Sequence, residues 1–380
     1  MTRWGRHCAI GFGTLTAWLA QAATVIGIVA LAIGFALRYQ SAVLSALAAA
    51  WLLFAGMSAG GVALAAGIRI AQGRWARQVV PMAEASIGFF VPALGMLLLL
   101  TLGRSLWIPW AEHAQVREWL PPAVRDLLST CILFALGLRF VRADRAGNQS
   151  IALAVAYALM YVLTLSFWVA DLVMSPRSPA PTTALPAYYF VGAFVSALAW
   201  VALVSCVEKE PRLDSDGRHD IGKLLFGFIT FLAYLLWSIF LPTWYGNLPE
   251  ETGLLLARWQ GVYRPFALGV IIVTFIFPFA LLLTEKAKRH RGALALGAAS
   301  VLLGLCVERF LLVLPSLQRT GGLIPGILSA GTAAGVWGLF MLTFGTELYV
   351  SRGSVTTTMS GGKSKIDSTA RRSSGTSSAS

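Results

Sequence analysis

Charge is what this 380-residue chain has least of. Only 12% of its residues are Asp, Glu, Lys or Arg, against roughly 25% in a soluble domain, while 57% are hydrophobic and the mean hydropathy is +0.71. Water is therefore not its main solvent. Histidine and cysteine are also scarce. The four histidines, His7, His113, His219 and His290, fall in loops or at the ends of apolar runs, and Cys8, Cys131, Cys206 and Cys306 lie far apart. Haem held inside a membrane needs paired axial ligands at depth, and covalent c-type haem or an iron–sulfur cluster needs clustered cysteines such as CxxCH. Neither pattern is present, so the chain itself encodes no haem, cluster, zinc or copper site. The cysteines read as small buried hydrophobes. Motifs of soluble-type nucleophilic enzymes are missing too, and the absence of period-two alternation excludes a membrane β-barrel.

What is present is a series of long apolar runs, each able to cross a hydrocarbon core that needs about 20 helical residues. They predict helices near 14–37, 42–67, 81–102, 123–140, 151–175, 187–207, 221–244, 262–284, 293–315 and 323–349. The fold class is all-α, a polytopic membrane protein of about ten spans. The first run follows Arg3 and Arg6 but is too long for a signal peptide and is read as a retained helix. Pro92 and Pro278 interrupt runs in a way that membrane helices tolerate. Residues 1–352 form the membrane domain. Residues 353–380, rich in Ser, Thr and Gly with Lys363, Lys365, Arg371 and Arg372, form a tail expected to be disordered. Its Gly-Gly-Lys-Ser at 361–364 has Thr357 where a phosphate loop needs glycine, and no strand precedes it.

The net charge of +13 comes from cations in short loops, a pattern of membrane orientation and not of a nucleic-acid face. Of the 30 Lys and Arg, 21 lie at the two termini and the even-numbered loops and 8 in the other loops. This places both termini in the cytoplasm. Trp107, Trp110 and Trp119 then fall in an outer loop suited to the interface.

Ionisable residues within apolar helices cost roughly 2.5–3.5 kcal/mol each on insertion, so they are functional candidates. Glu84, Asp171, Glu308, Arg309 and Glu347 are candidates for a buried polar or proton path. Glu308 and Arg309 are adjacent, about 100° apart on a helix, and are expected to find different partners. Locking of helix register, proton conduction and ligand contact are all open for them. For Glu84 and Glu347 the alternative is snorkelling to the interface. Asp220 and Lys223 mark a helix start, where an acid suits the dipole. Gly56-x-x-x-Gly60 and Gly331-x-x-x-Gly335 are close-approach motifs for helix packing.

Several passages are more distinctive than periodicity: Asp171-Leu-Val-Met-Ser-Pro-Arg-Ser-Pro179, Tyr188 to Phe194, His219 to Phe226, Trp244-Tyr-Gly-Asn-Leu-Pro-Glu-Glu251, and Glu308 to Leu317. Over about residues 41–350 the chain resembles the NrfD-like membrane subunits of alternative complex III, the ActF type in particular. The resemblance implies two four-helix bundles plus peripheral helices, in a bacterial complex that oxidises quinol and reduces an acceptor such as cytochrome c. Haem c and iron–sulfur clusters would belong to partners: a c-type cytochrome, an iron–sulfur subunit, a sister NrfD-like subunit and, as a further partner, a terminal oxidase. The family commonly reads Asp-Trp where this chain has Asp171-Leu172. Arg177, Trp244, Tyr245, Asn247, Glu250 and Glu251 would face outside as a partner surface, Trp244 and Tyr245 being equally suited to anchor the interface. Two other functions stay open: a secondary transporter with a midplane polar site, and a purely structural scaffold.

Overall fold

The structure is a computed structural model that describes residues 14–73, 78–108, 116–174, 184–207, 213–247, 252, 259, 261–317 and 322–374. Ten long helices carry the chain back and forth: α1 Thr14–Ala36, α2 Gln40–Ile70, α3 Val80–Leu102, α4 Val116–Arg145, α5 Ile151–Met174, α6 Leu185–Val207, α7 Ser215–Gly246, α8 Gly261–Leu282, α9 Arg291–Leu317 and α10 Leu323–Ser374. No strand occurs among the described residues. The side on which α1 begins is called the near side below, and the opposite one the far side.

Among the described residues, nine of these helices are long and apolar enough to span a membrane. The tenth, α4, is not among the nine, a difference from the expected ten that traces to eight charged residues in its 30, at both ends of its apolar middle. Its middle nevertheless packs along α5 and against α2 and α3. The helix α10 continues to Ser374, past the expected boundary at residue 353, and its side chains beyond Ser351 lie outside the described residues.

The helices α2, α3, α4 and α5 pack as one four-helix group, and α6, α7, α8 and α9 as a second; α1 and α10 pair with each other on the side of α2 and α3. At the centre stands α2, in contact with both groups and buried along its whole apolar window. A helix without a lipid face must present small residues all round, and α2 is rich in Ala, Gly and Ser. Gly56 and Gly60 let α6 approach: a Cβ on Gly60 would come within 2.7 Å of the Ala193 carbonyl oxygen. The Tyr189 hydroxyl donates to the Leu52 carbonyl at 2.8 Å in the same contact, a bond worth about 0.6 kcal/mol on average between membrane helices. Gly331 and Gly335 do the same for α10 against α1, where Gly335 meets Gly27 backbone to backbone.

Two spans change pitch ahead of a proline. In α3 a 3₁₀ stretch, Ala85–Phe89, precedes Pro92, and in α8 a π stretch, Ile271–Ile276, precedes Pro278. Proline lacks the N–H that would bond the previous turn, so the local winding adjusts. Helix starts are fixed by side chains: Ser150 accepts from the Leu153 amide, and Asp214 from the Gly217 amide at 2.8 Å. Because α7 begins at Ser215, the cap is Asp214 and the first-turn acid is Asp216. Asp220 lies beyond the first turn and pairs with Lys223 at 2.7 Å, which corrects the expectation that these two residues mark the helix start.

Candidate functional site

Buried ionisable side chains concentrate at the two ends of the first four-helix group. At the near end, Glu84 of α3, 3% exposed, receives a hydrogen bond from Arg145 Nε at 3.3 Å, and Arg145 Nη1 reaches Glu347 of α10 at 3.2 Å. Arg69, in the last turn of α2, donates at 2.8 Å to Asp144, the residue before Arg145 on α4. The expected residues Glu84 and Glu347 therefore converge on one arginine that sequence reading passed over. Gly88 permits this: a Cβ there would sit 2.7 Å from the Glu347 side chain.

At the far end, Asp171 lies in the π turn Ala170–Met174 that closes α5, 5% exposed. Arg125 of α4 grips it with Nη2 at 2.6 Å from both carboxylate oxygens. Arg104, 3% exposed in the turn Arg104–Trp107, donates to the Asp171 carbonyl at 3.1 Å. Asp126, the next residue on α4, is buried at the same end, 1% exposed. The π turn widens the helix enough to present both the Asp171 side chain and its carbonyl to these neighbours. Trp107 belongs to this buried end and donates from its indole to the Leu100 carbonyl at 3.1 Å, so it is not the interfacial anchor expected of it; a buried indole needs an acceptor, and this one finds it inside the bundle. Trp110 and the Trp119 side chain lie outside the described residues.

The second group holds Glu308 and Arg309 of α9, 6% and 0% exposed. They pair with each other, Nη1 to Oε2 at 3.1 Å, which corrects the expectation of separate partners: both side chains are long enough to fold back across the 100° between them. Arg309 also lies over the Tyr189 ring, 4.4 Å from its centre. Beside Glu308 opens a largely apolar cavity of about 110 Å³ lined by Tyr188 of α6, Ile239 of α7, Val270 of α8 and, ahead of α8, Trp259.

Trp244 and Tyr245, 65% and 85% exposed, end α7 on the far side, and Asn247 closes it in the left-handed conformation at φ 46°. Arg177, Glu250 and Glu251 lie outside the described residues. On the near side, Arg289 joins Asp216 to Glu285. Its hydrogen bond holds the exposed Glu285 carboxyl below the usual carboxylate range. Among the described residues no three His, Cys, Asp or Glu side chains gather as metal ligands.

The charged residues of these clusters that sequence reading missed are Arg69, Arg104, Arg125, Asp126, Asp144 and Arg145. A signal for four of them was present: α4 carries Arg-Asp at 125–126 and Asp-Arg at 144–145, one dyad at each end of its apolar middle. Comparison with curated proteins finds no match. The model of one family, described as polysulphide reductase, NrfD, matches residues 34–321. That stretch begins in the last turn of α1, ends just short of α10 in sequence, and takes in both four-helix groups. The chain belongs to the NrfD family.

Proposed function

We propose that this NrfD-family membrane protein is the ActF-type subunit of alternative complex III, a bacterial quinol-oxidising respiratory complex, and that it supports assembly and moves protons without a redox centre of its own. The observation behind this reading is the pair of buried ionisable clusters, Glu84 with Arg145 and Asp171 with Arg125, at opposite ends of one helix group. Charges at such depth are retained at a cost of several kcal/mol, and a proton path is the use that needs one cluster near each membrane face. In the proposed orientation the near side is cytoplasmic, as the Lys and Arg bias favours. Trp244 and Tyr245, with Arg177, Glu250 and Glu251, then meet a periplasmic partner carrying haem c, and the iron–sulfur clusters belong to another partner.

The test is purification in mild detergent through a tag on the C-terminus. Co-purification of c-haem absorbance and iron is the expected result, and a colourless protein obtained alone overturns the assignment. A secondary transporter is the second reading, favoured by the cavity beside Glu308 and the interrupted winding of α8. Solute uptake by the isolated chain in liposomes would put it first.

A further inference from the structure

The cavity beside Glu308, about 110 Å³ in volume, lies inside the second helix group. Leu236 and Ile239 of α7, Ala267, Val270 and Ile271 of α8 and Leu311 of α9 line it. Leu236 and Ile239 stand ten and seven residues before Gly246, where α7 ends on the far side. At about 1.5 Å per residue the cavity is about 10–15 Å inside that end. A head-group layer is only roughly 5–8 Å thick, so hydrocarbon surrounds the helices at this depth.

The winding of α8 leaves the cavity a way out. Its near half, Ile271–Leu282, packs against both α7 and α9, whereas its far half, Arg264–Val270, packs along α9. The change of pitch at the π stretch Ile271–Ile276 falls where the two halves meet. Beyond it α7 and α8 part, and both wall the cavity. Around this gap Trp237 and Leu241 of α7 and Leu268 and Ile272 of α8 are exposed apolar side chains, a surface that suits lipid and not water.

The walls select the occupant. A trapped water needs two to four polar partners, which a largely apolar lining does not supply. The acid at the edge, Glu308, is already engaged with Arg309 at 3.1 Å, so no idle anion awaits a cationic solute. An apolar cavity of about 150 Å³ takes up benzene, and one somewhat smaller suits a stretch of hydrocarbon chain. Such a chain restores the dispersion contacts that the lining atoms would otherwise lack on one side.

A charge stands where the head of that chain would be. Arg264 shares a helix face with Ala267 and Ile271, three and seven residues on, and lies one turn toward the far side from Ala267. It is exposed, and among the described residues no acid or other hydrogen-bonding group engages it. A guanidinium takes a phosphate through two parallel hydrogen bonds. From Arg264 to Ile271 is about 10 Å along the axis, so one lipid molecule can reach both.

We propose that the gap between α7 and the far half of α8 binds one phospholipid of the far-side leaflet, its phosphate on Arg264 and one acyl chain in the cavity beside Glu308. The chain supplies packing that these two helices do not give each other. This goes beyond the function proposed above and does not depend on it. A cavity filled in this way is closed to the solute that a transporter would carry.

The test uses the full chain in liposomes of phosphatidylcholine that contain a phosphatidylcholine with a diazirine in one acyl chain. After photolysis, mass spectrometry should find Ile239 and Val270 labelled several-fold more than Leu159, an exposed residue of α5. Ala267→Phe fills the cavity and should remove the excess while leaving Leu159 labelled; Ile239→Phe, read at Val270, does the same from the α7 wall where Ala267→Phe does not fold. Labelling of the lining no stronger than that of Leu159, or surviving in the filled variants, would overturn the cavity as the chain site. Arg264→Gln should lower the excess several-fold, as should a diacylglycerol probe with the same labelled chain and no phosphate. If neither change matters, the phosphate contact is wrong. A diazirine-bearing farnesyl chain that takes over the lining from an equal amount of the phospholipid probe would overturn the choice of a phospholipid. No partner subunit enters these measurements, so their failure is distinct from a failure to co-purify haem and iron.

Discussion

The guanidinium of Arg309 lies over the ring of Tyr189, 4.4 Å from its centre. The Tyr189 hydroxyl in turn bonds the Leu52 carbonyl, so one side-chain stack ties α9 to α6 and α6 to the central α2. Gly192 makes the space, since a Cβ there would approach the guanidinium to 2.6 Å.

Arg309→Leu removes the partner of Glu308 at 3.1 Å and leaves a carboxylate buried. It is expected to destabilise the protein by about 3–5 kcal/mol. Adding Glu308→Gln should recover a large part of that loss. Thermal unfolding in detergent measures both, and a double variant no more stable than Arg309→Leu alone would show that the stack, and not the ion pair, carries the joint.

Arg145 reaches two acids on different helices, at 3.3 and 3.2 Å. Lysine, a single point charge, cannot reproduce that fork. Arg145→Lys should therefore weaken the hold of α10, and a double-mutant cycle between Arg145→Gln and Glu347→Gln should give a coupling of about 0.5–1 kcal/mol, at the low end for contacting pairs because Glu347 is partly solvated.

The helices α1 and α10 meet where Gly27 and Gly335 touch backbone to backbone. Gly335→Leu forces them apart and should cost at least about 1–3 kcal/mol. Disulfide trapping between cysteines placed at Ala30 and Leu328, which share a small core cluster, should proceed in the parent chain and fail in the variant.

The Glu285–Arg289 pair, 2.9 Å long and largely solvated, responds to pH in a fixed direction. Because the folded-state pKa of Glu285 is lowered, the contribution of the pair is present above the unfolded carboxylate pKa and is lost as pH falls through the depressed value. Amide exchange in residues 285–289, corrected for its intrinsic rate, should quicken in that acid range and stay level around neutral pH.

How much of this was legible in the sequence differs from helix to helix. The spans over α2, α3, α6 and α9 fell within a few residues of the observed limits, because crossing hydrocarbon demands some 20 apolar residues and leaves little room for alternatives. For α4 the same criterion saw only the apolar middle, 123–140, with Arg125 and Asp126 at its start and Asp144 and Arg145 beyond its end, and nothing local tells that these side chains point inward. Glu84 and Glu347 were singled out one at a time, whereas the residue that joins them, Arg145, was counted as an orientation charge. Trp107 was placed at the interface because an indole beside a loop usually lies there, and its burial depends on Leu100 offering a carbonyl.

The sequence by itself determined the class of the molecule, its long helices, their order and the family to which they belong, because membrane insertion responds to the composition of each segment on its own. Only the tertiary structure decided which charges meet. Pairing such as Glu84 with Arg145 or Arg125 with Asp171 depends on the rotation and depth of whole helices, and those are set by where glycines such as Gly60, Gly88 and Gly335 let neighbouring backbones and side chains come close.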